Sequence, residues 1–182
     1  MSDSTDSDVT DSAITDGEEV DEEKIEEMKE AWDRTVGDME AQATAHEKRE
    51  WKAVSVPADH TITEGLNDGP ADRFGLIHVV PDNLAEDVSE ALDTGTFSQY
   101  NVFRAVENGY VYLVIELLDH DAQEALLTAG SYEHAGAEPL INASKNAGST
   151  YTYYQKHDET VLGSFEHEEH EKFFPDIAAE EE

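Results

Sequence analysis

The chain predicts an α+β fold: a largely antiparallel sheet with helices mainly on one face, a long N-terminal amphipathic helix, and disordered acidic termini. Three observations carry this. Ile25, Met28, Trp32, Val36, Met39 and Ala43 recur at steps of three and four, which places them on one face of a helix. Two pairs of apolar runs are joined by short turns, Glu107-Asn108-Gly109 and His157-Asp158-Glu159-Thr160, so hairpins dominate the strand connections. The remaining apolar segments are bounded by helix starts and stops, and no repeat of 20–50 residues is visible. Layering helices on an antiparallel sheet is the arrangement that accommodates these elements.

In chain order, residues 1–17 are Ser, Thr, Asp and Gly with little to bury, and are read as a disordered tail. Asp16 and Glu19 form a capping box ahead of the helix at 18–50. Its apolar steps fit a helix lying on a globular body better than a strict coiled coil. Trp51–Pro57 alternates and ends at a proline, a first strand, and Ala58–Asp72 has turn chemistry without periodicity, a long loop. Phe74–Val80 is a nearly continuous apolar run closed by Pro81, a central strand, and Asp82 starts a helix over Leu84–Leu92 that stops at Gly95.

Phe97–Val106 and Tyr110–Leu118 flank Asn108-Gly109, the preferred chemistry of a two-residue turn. Asp119 or Asp121 opens a short helix through Ala129, ended by Gly130. Pro139 sits in the first turn of another, with Leu140, Ile141 and Ala143 inside and Gly148 as its stop. Thr150–His157 and Thr160–Phe165 form the second hairpin. The α+β domain is thus placed at 51–166 and an acidic C-terminal tail at 167–182, with Phe173, Phe174 and Pro175 tucked back on the domain.

Charge sets the environment. Asp and Glu number 44 against 11 Lys and Arg, a net charge of −33. The surplus is not confined to the ends, since residues 51–165 hold 18 acids against 5 bases. At low ionic strength such a surface repels itself, whereas molar salt shortens the Debye length to about 3 Å and screens most of that repulsion. Brine adaptation in an archaeal cytosol therefore explains the composition better than a polyanion that mimics nucleic acid or sequesters basic proteins, which would concentrate its charge. Binding to nucleic acid or anionic membrane needs Lys and Arg that the chain lacks. There are no cysteines, hence no disulfide, thiolate site or cysteine nucleophile. Met1–Thr15 lacks the basic and apolar regions of a signal peptide, and no apolar stretch approaches the roughly 20 residues of a membrane span. A soluble cytoplasmic protein is expected.

Several strings carry a family likeness: AWDRTVGDME at 31–40, DRFGLIHVVPDN at 72–83, VIELLD at 114–119, YQKHDETVLGSFEH at 154–167 and KFFPD at 172–176. Over roughly residues 31–176 the chain resembles a family of small acidic haloarchaeal proteins of unknown function. The resemblance supports the salt-adapted reading and implies no activity, so no catalytic residue follows from it.

Candidate sites come from the residues themselves. His167 and His170 lie three apart in EHEEHE, on one face if that segment is helical, where a zincin would need its second histidine one residue later. The plainer reading is a solvated acidic tail that happens to contain histidine. Strand alternation puts His78 on one face of Phe74–Val80, Tyr112 and Glu116 on one face of Tyr110–Leu118, and Tyr153 on one face of the penultimate strand. If these faces coincide, a histidine beside a carboxylate could serve as general acid or base. The same residues equally make a satisfied polar cluster or an aromatic contact surface. Arg73 and Arg104, rare bases within the domain, could anchor a carboxylate or phosphate, or simply pair with nearby acids. His134 joins them as a possible pocket-lining residue. With no phosphate loop, dinucleotide fingerprint or Gly-x-Ser-x-Gly elbow, no cofactor is expected. The reading that follows is a non-enzymatic module binding a protein partner or small ligand through an exposed sheet face or the N-terminal helix. The alternatives are a small hydrolase or isomerase using His78 and Glu116, with or without a metal, and an acidic mimic or chaperone of basic proteins. The sequence leaves the oligomeric state open.

Overall fold

A computed structural model describes residues 3–65 and 74–175, with side chains from Glu22 onward. It is α+β, as the sequence predicts, but with two four-stranded sheets in place of one. The elements are α1 (Asp3–Lys48), β1 (Lys52–Pro57), β2 (His60–Glu64), β3 (Gly75–Val79), α2 (Ala85–Thr94), β4 (Gln99–Glu107), β5 (Tyr110–Asp119), β6 (Glu124–Glu133), α3 (Glu138–Ala147), β7 (Thr150–Gln155) and β8 (Val161–His167). One sheet has the order β1-β6-β5-β4 and the other β2-β3-β7-β8. Each contains one parallel pair, β1 with β6 and β3 with β7, and the other pairings are antiparallel.

The sheets meet at a corner. Ala58 N–H donates to Ala129 and Asp59 N–H to Val79, so the chain leaves the first sheet beside β6 and enters the second beside β3 within two residues. That corner uses the stretch expected to be loop, and β2 follows at once. The rest of that expected loop, Leu66–Asp72, and Arg73 lie outside the described residues.

Face to face, the sheets enclose the main core. Val111, Leu113, Ile115 and Leu117 on β5 and Leu126 on β6 meet Leu76 on β3 and Tyr154 on β7, with Val88 and Leu140 from α2 and α3. A hydrogen bond crosses this core, Thr128 Oγ1 to Tyr154 Oη at 2.7 Å. Gly130 is the close approach: a Cβ there would stand 2.7 Å from Thr61 Oγ1 and 2.8 Å from His78 Cε1.

A helix expected through Ala129 is instead β6. Asp119 caps a tight turn by accepting from Ala122 N–H, and Gln123 takes a positive φ of 56°, which returns the chain antiparallel along all of β5. Pairing on both sides, to β5 and β1, outweighs the helical preference of Ala and Leu in this short run.

α1 covers the outer face of the first sheet. Met39 and Ala43 bury against Val114, Leu118, Ala125, Leu127 and Ala129, with Trp32 and Val36 packed at the margin. The helix runs parallel to β5: Glu27 accepts from Asn108 Nδ2 near one end, and His46 meets Glu116 near the other. Nineteen helical residues span about 29 Å and eight strand residues about 27 Å, so the two registers match. The bounds of α1 take in positions read from sequence as the 1–17 tail. At the other end, His167 closes β8, and Phe173, Phe174 and Pro175 are buried as expected, so the packed body runs past residue 166. Among the described residues no helix is long and apolar enough to cross a membrane.

Candidate functional site

The four residues expected on one sheet face are divided by the two sheets. Tyr112 and Glu116 are in β5, on the outer row beneath α1, whereas His78 is in β3 and faces the core between the sheets. Tyr153 lies in the same sheet as His78 but with opposite parity to Tyr154, whose hydroxyl enters the core. The reason is the alternation itself: Leu76, His78 and Val80 share one row, and a second sheet, not solvent, lies above it.

Glu116 has a different histidine. His46 Nε2 is 2.7 Å from its Oε2, and Asn101 Nδ2 donates to Oε1 at 2.9 Å. Trp51 packs over the His46 ring at 5.2 Å, and His120 meets Trp51 edge-on. His46 Nδ1 is enclosed with no partner, so the ring nitrogen a substrate would need is shut off from solvent. This is a clamp between helix and sheet.

His78 is fully buried, bonded through Nδ1 to Thr61 Oγ1 at 3.0 Å, and burial lowers its pKa to about 4. A neutral ring locked behind Gly130 has no route to bulk substrate.

His167 is not in a solvated tail. Its Nε2 meets Thr152 Oγ1 at 2.7 Å, and Tyr100, Phe165 and Phe173 surround the ring. Burial first, then the charge of His78, brings its pKa down to about 3. His170 falls in the short 3-10 turn His170–Lys172, so the pair does not share a helix face. Among the described residues no group of three or more His, Asp or Glu is placed to hold a metal ion.

Arg104 reaches back to the chain, donating to the carbonyls of Glu171 at 3.0 Å and Lys172 at 2.8 Å, which ties the C-terminal segment to β4 through this one side chain. His134 opens the 3-10 turn after β6, where its N–H donates to Gly109. Tyr153 is half-buried, 6.0 Å from Tyr151.

The concave surfaces lie elsewhere. Where α1 passes the end of the first sheet, Ile25, Met28 and Trp32 overhang Tyr112 and Ser131, leaving a cavity of about 390 Å³. Trp32 and Ser131 also border a second cavity of about 600 Å³, walled by Pro57, Thr61, Pro81 and Tyr110. Together they form one groove with an apolar side and three phenols, Tyr110, Tyr112 and Tyr132. Burial, then Glu107, pushes the Tyr112 hydroxyl up, and burial, then Glu133, does the same for Tyr110, so both remain neutral donors. Of its strand residues, Tyr112 was marked by alternation, while Ser131 was hidden by the helical reading of its strand. A third cavity, of about 960 Å³ between α2 and the β7–β8 turn, has five acids in its lining, among them Glu86 and Asp158, together with Lys156, His157 and the apolar Ala85 and Leu162. It carries the same solvated charge as the surface at large.

No curated protein and no solved structure matched the chain. A family model matches residues 18–175, a span that begins inside α1, includes the groove at Trp32 and ends with the buried Pro175, and the chain belongs to that family, the family of unknown function DUF7529.

Proposed function

We propose that the protein is a non-catalytic binding module of a salt-rich archaeal cytosol, and that it takes an apolar segment of a partner protein into the groove at Trp32. The observation that carries this is the half-used face of α1. Ala31, Thr35, Met39 and Ala43 are buried on the sheet, yet Ile25, on the same stripe, is 50% exposed and Met28 and Trp32 are only partly covered. Large apolar side chains rimming a cavity, with Lys29 and Asp33 at its edge, have the make-up of an interface centre. The histidine and carboxylates that catalysis would require are occupied in packing, which favours binding over the hydrolase or isomerase alternative.

The test is a photo-crosslinking residue in place of Ile25, expressed in the native host. The expected result is a defined protein adduct, lost when Trp32→Ala or Met28→Glu is added while circular dichroism stays unchanged. No adduct, or the same adduct with the groove filled or charged, overturns the reading.

A further inference from the structure

We infer that two copies of this chain pair through β4, edge to edge and antiparallel, about a two-fold axis at Phe103. β4 ends its sheet and is the longest of the four edge strands, nine residues against six in β1, five in β2 and seven in β8. The other edges carry the features that discourage strand addition. β1 starts with Lys52 and ends with Pro57, β2 is very short and ends in Glu64, and β8 contains Glu166 and pairs across an irregularity at Tyr154/Gln155. β4 has no proline, no lysine and no irregularity: it holds register with β5 from Gln99 to Glu107 without a break, and its charged residues are Arg104 and the terminal Glu107.

Charge is missing at the same place. From Thr94 to Ile115 the chain contains one acid, Glu107, and one base, Arg104, in a protein with 44 acids. For β5 this follows from burial. For β4 it does not, because Asn101, Phe103 and Ala105 face outward and are exposed, Phe103 by 47%. Glu107 is bonded to Arg34 on α1, and the Arg104 guanidinium is turned to the carbonyls of Glu171 and Lys172.

The occupant is a second copy on two grounds. A basic partner would be drawn to the carboxylates elsewhere, whereas this strand is where two chains of net charge −33 approach with least repulsion. The strand is also self-complementary. Turned about Phe103, it sets Phe103 against Phe103, Asn101 against Ala105, Val102 against Arg104 and Gln99 against Glu107, with no like charges opposed and an aromatic pair at the centre. An axis perpendicular to the sheet keeps both copies of α1 on the same face, so the two Phe103 rings would lie in a trough between two helices.

The test is sedimentation equilibrium of the full chain in molar KCl, with twice the 20.2 kDa chain mass expected. Phe103→Lys should give the single-chain mass with an unchanged circular dichroism spectrum. The chain has no cysteine, so Phe103→Cys provides a second readout: mild oxidation should yield a covalent dimer on a non-reducing gel, while Val161→Cys, on the exposed β8 edge, should not. A single-chain mass at every concentration, a dimer untouched by Phe103→Lys, or no covalent dimer from Phe103→Cys overturns the proposal.

Discussion

His46 on α1 donates through Nε2 to Glu116 on β5 at 2.7 Å, and this bond fixes the C-terminal end of the helix to the sheet. Glu116 is 7% exposed and takes its second bond from Asn101. Removing one partner of a largely buried, charge-assisted bond leaves the other desolvated without compensation, at about 1–3 kcal/mol. His46→Ala is therefore expected to lower the urea midpoint. Because Trp51 stacks on His46, it should also shift the emission of a Trp32→Phe background in which Trp51 is the remaining tryptophan. His46→Gln, which can still donate, should recover part of the loss. An unchanged midpoint in His46→Ala would mean that the clamp does not hold the helix.

The junction between the sheets depends on a missing side chain. A Cβ on Gly130 would come within 2.9 Å of both Thr61 and His78, closer than real Cβ contacts allow, and both neighbours belong to the other sheet. Gly130→Ala must push the sheets apart or break the Thr61–His78 bond, at about 1–3 kcal/mol or more. Thr61→Ser in the same background keeps the hydroxyl near its place and should rescue little. His78→Ala should rescue more, since it vacates the ring. Calorimetry on the three variants checks the order.

What the sequence made legible was local chemistry, and what it hid was which surface a row of side chains meets. Asn108 and Gly109 have positive φ of 53° and 80° and join β4 to β5 as their residue types require. Pro139 and Gly148 bracket α3, and the α1 stripe packs as spaced from Trp32 to Ala43. Alternation placed Leu76 and His78 in one row, but no local signal reveals that a second sheet covers it. The helical preference of Ala125, Leu126 and Leu127 gave way to pairing with partners distant in sequence. His167 sits among acids that are exposed, so composition pointed to solvent while the ring points inward. The groove at Trp32 was half legible: its helical side chains and Tyr112 were marked, whereas Ser131 was not.

The two buried histidines tie stability to acidity. His78 and His167 titrate in the folded protein at about 4 and about 3, held down by burial, with His78 adding to the shift of His167. In the unfolded chain they titrate near 6.5, so protons bind the unfolded form first as pH falls. Their contribution is whole above about pH 6.5 and is lost on the way down to the folded values, by about 1.4 kcal/mol per histidine for each pH unit. Between about pH 7 and pH 5 in molar KCl, His167→Gln should show a shallower fall of urea midpoint than the parent. His78→Gln should do the same. Carboxylates titrate alike in all three chains and cancel in the comparison, so an equal slope in every variant would clear the histidines.

The surplus of carboxylates predicts a response to salt that differs from ordinary stabilisation by excluded solutes. Residues 51–165 alone carry 18 acids against 5 bases, so repulsion acts within the folded body and not merely between its ends. Raising KCl from about 0.1 M to 1 M shortens the Debye length from about 10 Å to about 3 Å. If the relief amounts to a few kcal/mol, the thermal midpoint of a body this size should rise by about 10 °C. Sucrose is excluded from the surface but screens nothing, so at matched osmolality it should recover only a small part of that rise. Equal stability after dialysis into dilute buffer would remove screening as the reason for the composition. The acids would then need another purpose, and a cationic partner on the carboxylate-lined cavity of α2 would become the reading to pursue.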